Sequence, residues 1–297
     1  EIAGKTLVSL VSAGTELAVF QGLHAGVAFP RPTGYAAVFR VEECGSSVED
    51  VKRGDIVFCM GGHSSVQRIR RSEGVIIPGG LPPEKAVFAR MMGVTMATLT
   101  TTTARPPSMV LVTGLGVVGH LAAQVFNACG YEVYACDPLK ERRKLLFSKG
   151  VKRVLERVPV EDPDVTGRVS LVIECSGHEQ AVLDGCKVVC KRGEVVLTAT
   201  PWRRRTELSA HDILKAVFHN YVVMRSGWEW EIPLHPVDFR PNSIFGNFAA
   251  ALQWLAQGRI DVDGLYESVS PENPQEIYTR LLSGECNALT AVFVWEG

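Results

Sequence analysis

The sequence lacks the features that define several classes of protein. No apolar run approaches the ~20 residues that a membrane-spanning helix needs. The 31 basic residues only balance 32 acidic ones, which argues against a nucleic-acid-binding surface. The first residues also lack the apolar stretch of a secretory signal peptide. We therefore expect a cytoplasmic protein that binds small molecules and neither nucleic acid nor a membrane.

Cysteine motifs for metals and disulfides are missing as well. Eight cysteines are present, but none of them form a C-x-x-C pair and most lie in apolar stretches. Their spacing matches neither a zinc ribbon nor a disulfide framework. We expect buried thiols that stay reduced, as in a cytoplasmic protein.

The centre of the chain contains a glycine fingerprint in a specific context. An apolar run at 109–113, typical of a buried parallel strand, leads directly into Gly114, Gly116 and Gly119, and a helical pattern follows over 117–129. Gly114 would permit a tight turn, Gly116 would let the backbone approach a pyrophosphate, and Gly119 would allow close packing of helix on strand. The context predicts a dinucleotide-binding turn.

Neighbouring residues indicate which dinucleotide binds. The helix N-terminus at Val117 and Val118 offers N–H groups and a positive dipole end to phosphates. Asp137 follows the second predicted strand, 18 positions after the last glycine. Its carboxylate would accept hydrogen bonds from ribose hydroxyls and repel a 2′-phosphate, so NAD is favoured over NADP. Arg142 and Arg143 lie nearby in sequence and oppose this preference.

Strands and helices continue to alternate as far as residue 225, with predicted strands at 171–174, 194–198 and 221–225 and predicted helices at 179–189 and 209–218. This alternation predicts an α/β fold with a doubly wound parallel sheet. Ligands of such sheets bind beyond the carboxyl ends of the strands, which adds Ser176 and Thr198 to the candidate cofactor site. The segment before residue 90 is instead β-rich, with glycine between short strands.

These motifs, together with the segments 12–16, 34–38, 52–57 and 193–196, resemble the medium-chain dehydrogenase/reductase superfamily of the zinc alcohol dehydrogenases. The opening Ser-Ala-Gly-Thr-Glu-Leu is most similar to the group around 2-desacetyl-2-hydroxyethyl bacteriochlorophyllide dehydrogenase. The resemblance implies a Rossmann NAD-binding domain at 96–231, inserted in a GroES-like β-rich catalytic domain made of 1–95 and 232–297. It also implies a homodimer, and a native start before residue 1.

The resemblance fails at the positions of the metal ligands. Where zinc members of the superfamily carry ligands, this chain has Ala13, Tyr35 and Val94, and the four-cysteine zinc lobe expected after Cys59 is missing. None of the three side chains binds Zn²⁺ in the usual way. We expect no zinc and no other metal.

Without a metal, an organic acid or base must assist at the substrate oxygen. Tyr35 is the first candidate, because it occupies a ligand position and carries a proton. A free phenol titrates near ~10, so a cation or the oxidised cofactor would have to lower its pKa. Thr15 matches the hydroxyl that relays protons in zinc members, and Glu16 and His63 complete the catalytic candidates.

The sequence thus favours a zinc-independent oxidoreductase that transfers a hydride between NAD(H) and a secondary alcohol or ketone of a cyclic or polyhydroxylated metabolite. One alternative is an NAD(P)H-dependent enoyl or quinone reductase acting on an activated C=C bond, although Asp137 disfavours it. A second alternative is a cofactor-binding pseudo-enzyme or regulatory subunit.

Overall fold

The computed structural model describes residues 1–24 and 26–295, which form two compact units. The first unit combines residues 1–90 with the segment from Phe245 onward, and the second unit is continuous from Met91 to Ile244. The sequence-based boundaries lie after residues 95 and 231 instead. Both structural boundaries fall within helices rather than in loops, which is why no Gly- or Pro-rich linker marks them in the sequence.

The strands are β1 (Ile2–Leu10), β2 (Ala37–Cys44), β3 (Ile56–Cys59), β4 (Val66–Ile69), β5 (Gly74–Ile76), β6 (Met109–Thr113), β7 (Glu132–Cys136), β8 (Arg153–Leu155), β9 (Val169–Glu174), β10 (Val189–Leu197), β11 (Val223–Ser226), β12 (Tyr266–Val269) and β13 (Thr290–Val294). The helices are α1 (Thr15–Phe20), α2 (Pro83–Ala86), α3 (Ala89–Thr101), α4 (Val117–Ala128), α5 (Lys140–Ser148), α6 (Glu179–Val188), α7 (Ala210–His219), α8 (Ile244–Ala256) and α9 (Pro274–Ser283).

The first unit is built on a seven-stranded sheet in the order β12-β13-β1-β2-β3-β5, with β4 paired to β1. The C-terminal strand β13 pairs antiparallel with the N-terminal strand β1, with Val8 opposite Val294 and Leu10 opposite Val292. The two ends of the chain therefore share one sheet. Buried aromatic side chains fill its core, and the ring of Phe58 meets the edge of Phe248 at a centroid distance of 5.1 Å.

The second unit is built on a six-stranded sheet in the order β11-β10-β9-β6-β7-β8, and every strand pair is parallel. All five residues of β6 are buried, as a central parallel strand requires. The expected α/β fold with a doubly wound parallel sheet is confirmed. Gly130 ends the helix after the fingerprint with a positive φ of 83°, as its position after α4 predicts.

Several elements escape the sequence-based prediction. Strand β10 begins at Val189, five residues earlier than expected, because its first residue pairs with Val169 across an irregular step. Helices α1 and α3 are not among the predicted elements, because α1 has only six residues and α3 has too weak an amphipathic pattern to stand out. In the part of the chain that the structure describes, no helix is long and apolar enough to cross a membrane.

Candidate active site

In the first unit, a buried carboxylate organises the candidate catalytic residues. Glu16 lies in the first turn of α1 and is only 3% exposed. Its Oε1 accepts a hydrogen bond from the Ser12 amide at 2.7 Å, and its Oε2 accepts one from His63 Nε2 at 2.9 Å and another from the Tyr278 hydroxyl. A buried carboxylate is stable only when its lone pairs are satisfied, and here three donors satisfy them.

The imidazole of His63 is held at both nitrogens. Its Nδ1 lies 2.8 Å from Ser9 Oγ, and that oxygen accepts a hydrogen bond from Trp295 Nε1 at 2.9 Å. Since a carboxylate only accepts hydrogen bonds, the Nε2 that faces Glu16 carries a proton and donates the hydrogen bond. The ring also meets Phe293 edge-on at 4.9 Å. His63 therefore positions the loop and has no nitrogen left for substrate.

Tyr35 belongs to a second cluster, which we define as the Tyr35 cluster: Ser12, Thr15, Tyr35 and Arg90. The Tyr35 hydroxyl donates to Ser12 Oγ and also interacts with the Thr15 hydroxyl. Burial raises the pKa of Tyr35 above that of a free phenol; the hydroxyls of Ser12 and Thr15 and the charge of Arg90 lower it by less, and Glu16 adds to the rise. Tyr35 is therefore a proton donor at neutral pH.

From the sequence, a cation or the oxidised cofactor would have to lower the pKa of Tyr35, and burial acts against this. The cation is present, because the guanidinium carbon of Arg90 lies 4.8 Å from the centroid of the Tyr35 ring. Its effect on the pKa is smaller than the effect of burial. The phenol is therefore better suited to giving up a proton than to taking one.

Arg90 is one of the residues that the sequence-based prediction missed. It is the one charged residue between Lys85 and Arg105, and it is 5% exposed at the start of α3. A single arginine inside an otherwise apolar stretch was the available signal, since arginine is almost never buried without a partner. Its contact with Tyr35 joins segments 55 residues apart, and no local pattern reports such a contact.

The donors in this part of the first unit do not fit a catalytic zinc. The ligand positions of the zinc relatives carry Ala13 and Tyr35 here, and Val94 lies in α3, in the second unit. Among the residues of the Tyr35 cluster and the hydrogen-bond partners of Glu16, the residue types that commonly bind zinc are Glu16 itself and His63. These two side chains hydrogen-bond to each other. Among the described residues, no group of three histidine, cysteine, aspartate or glutamate side chains is placed to hold a metal ion.

In the second unit, the three fingerprint glycines have distinct environments. Gly114 has a φ of +80°, and a Cβ there would lie 2.7 Å from the Ser176 side chain. A Cβ on Gly119 would lie 1.8 Å from the carbonyl oxygen of Gly114, so only glycine lets α4 approach β6 so closely. A Cβ on Gly116 would meet nothing within 4 Å. Gly116 thus borders open space, the position where a pyrophosphate could approach the backbone.

The start of α4 fits the negative charge of a dinucleotide. Gly116 caps the helix without a side-chain hydrogen bond, so the first amides of the helix, including those of Val117 and Val118, are not capped by the residue before them. The 12-residue helix directs its positive dipole end toward the open side of Gly116. These groups would hold the pyrophosphate of NAD(P).

Asp137 is anchored to the fingerprint turn. Its carboxylate is only 4% exposed and accepts hydrogen bonds from the amides of Leu115 and Leu139, each at 2.8 Å. The guanidinium of Arg142 lies 3.5 Å away and is partly exposed. The structure therefore fixes one carboxylate oxygen on the turn itself, beside a cation that could also meet a phosphate.

Ser176 and Thr198 lie at the carboxyl ends of neighbouring strands, as predicted for a ligand-binding edge. Glu174, which sequence reasoning missed, is 1% exposed and accepts hydrogen bonds from the amides of Ser176 and Gly177 at 2.7 and 3.1 Å. Its carbonyl accepts one from the Thr198 amide at 2.9 Å. The Oγ1 of Thr198 is buried and has no hydrogen-bond partner among the described residues.

The structure thus gathers the predicted residues into two groups, one in each unit. Thr15 and Tyr35 share a cluster, and Glu16 and His63 form a pair that is joined to this cluster through Ser12. The predicted cofactor residues of the second unit lie around the fingerprint turn and the carboxyl ends of β7, β9 and β10.

Comparison with known proteins finds similarities to dehydrogenases. Residues 117–231 match the protein family described as "Zinc-binding dehydrogenase". An alcohol dehydrogenase of Geobacillus stearothermophilus is 23% identical over 299 residues, which cover 87% of this chain and 81% of that protein. The chain is therefore similar to zinc-type dehydrogenases over 117–231 and to an alcohol dehydrogenase over most of its length.

Solved structures show the same fold over almost the whole chain. Galactitol-1-phosphate dehydrogenase from Escherichia coli has a TM-score of 0.83 at 16% identity, covering 99% of this chain and 92% of that one. A putative zinc-binding dehydrogenase from Sinorhizobium meliloti, bound to NADP, has a TM-score of 0.78 at 17% identity and coverages of 99% and 91%. Acetophenone reductase from Geotrichum candidum, in complex with NAD, has a TM-score of 0.76 at 16% identity and coverages of 99% and 89%. The fold is that of the medium-chain alcohol dehydrogenases, with a Rossmann sheet and a GroES-like β-rich part.

Two glycine substitutions should separate cofactor binding from folding. Gly116→Ala places its Cβ in open space at an ordinary φ of −72°, so the free energy of unfolding should change by less than about 1 kcal/mol. Because the methyl group would occupy the approach to the helix N-terminus, NAD affinity should fall at least about tenfold. Gly119→Ala should instead destabilise the protein by about 3 kcal/mol or more, through the clash with the Gly114 carbonyl. Calorimetric titration measures the NAD affinity, and chemical denaturation measures the free energy of unfolding. An unchanged NAD affinity in Gly116→Ala would contradict the assignment of the turn.

Proposed function

We propose that this protein is a zinc-independent oxidoreductase that transfers a hydride between NAD(H) and a secondary alcohol or ketone of a cyclic or polyhydroxylated metabolite. The observation that carries the proposal is the Tyr35 hydroxyl, which is hydrogen-bonded to Ser12 and Thr15 at a position where zinc relatives have a ligand. The fold, the fingerprint turn and the alcohol dehydrogenase relatives support it.

The chain's own residues supply the proton chemistry. NAD(H), when bound, donates or accepts the hydride at the substrate carbon. In the direction of ketone reduction, Tyr35 gives its proton to the carbonyl oxygen, and its O–H bond breaks as the alcohol O–H bond forms. Ser12 and Thr15 fix the direction of the phenol and can hydrogen-bond to the phenolate that remains. In the direction of oxidation the same phenolate accepts the proton of the alcohol, so oxidation requires alkaline pH.

Asp137 supports NAD as the cofactor. The Asp137 carboxylate at the fingerprint turn would accept a hydrogen bond from ribose and repel a 2′-phosphate. Arg142 beside it is the group that would favour NADP, but its distance of 3.5 Å from Asp137 places its charge in an ion pair. The solved relatives with NAD and with NADP agree with a nicotinamide cofactor of either kind.

Two resemblances support the proposed substrate class. The segment 12–17 is most similar to the group around 2-desacetyl-2-hydroxyethyl bacteriochlorophyllide dehydrogenase, whose name describes a secondary alcohol on the side chain of a cyclic metabolite. The structural relative that acts on galactitol-1-phosphate indicates a polyhydroxylated substrate. Both are small-molecule alcohols, in keeping with the charge balance of the chain.

A C=C reductase remains the second candidate, because one observation favours it. The raised pKa of Tyr35 keeps the phenol protonated, and a protonated phenol can hydrogen-bond to the carbonyl of an enone. An assay that offers both ketones and enones with NADH and NADPH separates the two activities, whereas a pseudo-enzyme would bind cofactor and turn over neither.

We also propose a cytoplasmic homodimer. The eight cysteines are free thiols, as a reducing compartment permits. Strand β11 ends the parallel sheet and pairs only with β10 among the described strands, and Leu214, Phe218 and Tyr221 near it are exposed. A second copy that pairs with this edge would cover these side chains.

Replacing Tyr35 tests the proton donor. Tyr35→Phe keeps the ring but removes the hydroxyl, so kcat for the best alcohol or ketone substrate should fall at least about 100-fold, while NAD affinity stays unchanged. Tyr266→Phe, another tyrosine of the first unit, is the matched control and should keep full turnover. Equal turnover of Tyr35→Phe and the wild type would remove Tyr35 from the mechanism.

Cofactor preference tests Asp137. The wild type should use NAD better than NADP, and Asp137→Asn should reduce that preference at least about tenfold, since the charge that repels a 2′-phosphate is lost. Glu141→Gln on α5 is the control, because it removes an exposed charge that is paired with Lys144. Steady-state kinetics with both cofactors measure the ratio, and a wild type that prefers NADP would defeat the assignment.

The homodimer is tested by light scattering coupled to size exclusion. The wild type should elute with twice the mass of one chain, and Phe218→Glu should shift it toward the monomer, because a charge would be buried in the interface. A monomeric wild type would disprove the dimer. A matched exposed substitution, Phe147→Glu on α5, should leave the mass unchanged.

A further inference from the structure

A buried positive charge lies directly over the candidate proton donor. Arg90 is 5% exposed, and its guanidinium carbon lies 4.8 Å from the ring centroid of Tyr35 and 5.7 Å from that of Phe248. Two aromatic faces therefore hold the cation within the first unit. Taking an arginine out of water is costly, so its place in the fold calls for a physical reason.

Tyr35 faces few other charges. The groups that influence it are the neutral hydroxyls of Ser12 and Thr15, the cation Arg90 and the anion Glu16. The Glu16 carboxylate is already satisfied by three donors of its own. Arg90 is therefore the group of this set that favours negative charge on the phenol oxygen by its charge alone, and a guanidinium stays protonated at every pH at which the protein works.

We propose that Arg90 stabilises the phenolate that forms when Tyr35 gives up its proton, and so supplies the positive charge that the zinc ligand positions of this chain cannot hold. The inference rests on the proposed function, since it assigns a role in the proton step of Tyr35. Arg90 acts through Tyr35 and is a positioning residue rather than a catalytic one.

The physical basis is electrostatic preorganisation. When the proton leaves Tyr35, negative charge appears on the phenol while the guanidinium is already in place, so no group has to reorient. In a partly desolvated site a fixed charge has more effect than it would in water. Burial acts in the opposite direction and raises the pKa of Tyr35, which explains why a cation is needed close to the ring.

The test measures the phenol directly and needs neither cofactor nor substrate. The chain has six tyrosines, and the difference in ultraviolet absorbance between each protein and its Tyr35→Phe counterpart isolates the phenolate of Tyr35. Incorporating 3-fluorotyrosine lowers the pKa of every phenol. The titration is then completed within the pH range in which circular dichroism shows a folded protein. Five proteins are each compared with their own Tyr35→Phe counterpart: the wild type, Arg90→Met, Arg90→Gln, Arg90→Lys and Phe248→Leu.

In Arg90→Met and Arg90→Gln the midpoint for Tyr35 should rise by about one pH unit or more, because an opposite charge close to the phenol is lost. Arg90→Lys should keep most of the effect. Phe248→Leu removes the second ring beside the guanidinium but no charge, so its midpoint should stay at the wild-type value. An unchanged midpoint in a folded Arg90→Met or Arg90→Gln protein would overturn the inference.

Enzyme kinetics then separate this inference from the proposed function. If the protein oxidises an alcohol, the pH at which kcat is half-maximal should move upward in Arg90→Met in parallel with the titration, while KM for NAD stays constant. If no alcohol or ketone is turned over, the proposed function fails, and the titration still decides whether Arg90 acts on Tyr35. Active variants with an unshifted pH profile would show that Arg90 is merely structural.

Discussion

The buried carboxylate of Glu16 is the constraint on which the candidate active site depends. It accepts hydrogen bonds from the loop after β1, from His63 and from Tyr278 on α9, so three distant segments meet at one group. Because a buried charge tolerates little misplacement of its donors, these segments have little freedom to move apart. Ser12, fixed at its amide by Glu16, presents its hydroxyl to Tyr35. The direction of the phenol thus follows from a carboxylate that need not touch substrate.

The two units bring their candidate site residues together in different ways. In the second unit, parallel strands end at one edge, and the glycines and backbone amides of the fingerprint turn meet the Asp137 carboxylate there. In the first unit, side chains from the N-terminal loop, from the segment near residue 63 and from α9 must come together. The glycines of the turn lie close together in the sequence, so a local pattern reveals them. The side chains of the network come from segments that lie far apart in the sequence.

That difference explains what the sequence could predict. The fingerprint glycines, Asp137 and the parallel sheet follow from local spacing and hydrophobic pattern, and the parallel sheet is confirmed. Arg90, Glu174 and Tyr278 escaped prediction, because each acts through contacts far along the chain or through burial that no local pattern encodes. The rise in the Tyr35 pKa could not be predicted from the sequence, since burial, its largest cause, is a property of the folded molecule.

The pairing of β1 with β13 has a consequence for how the protein is made. β1 is synthesised before the second unit, whereas the strand that gives it its Val8–Val294 register is synthesised after that unit. The continuous unit from Met91 to Ile244 can complete its own sheet while β1, which already has β2 and β4 to pair with, still lacks β13. During that interval the Val8–Leu10 stretch of β1 is open on the side that β13 covers, and an open strand edge can pair with another chain.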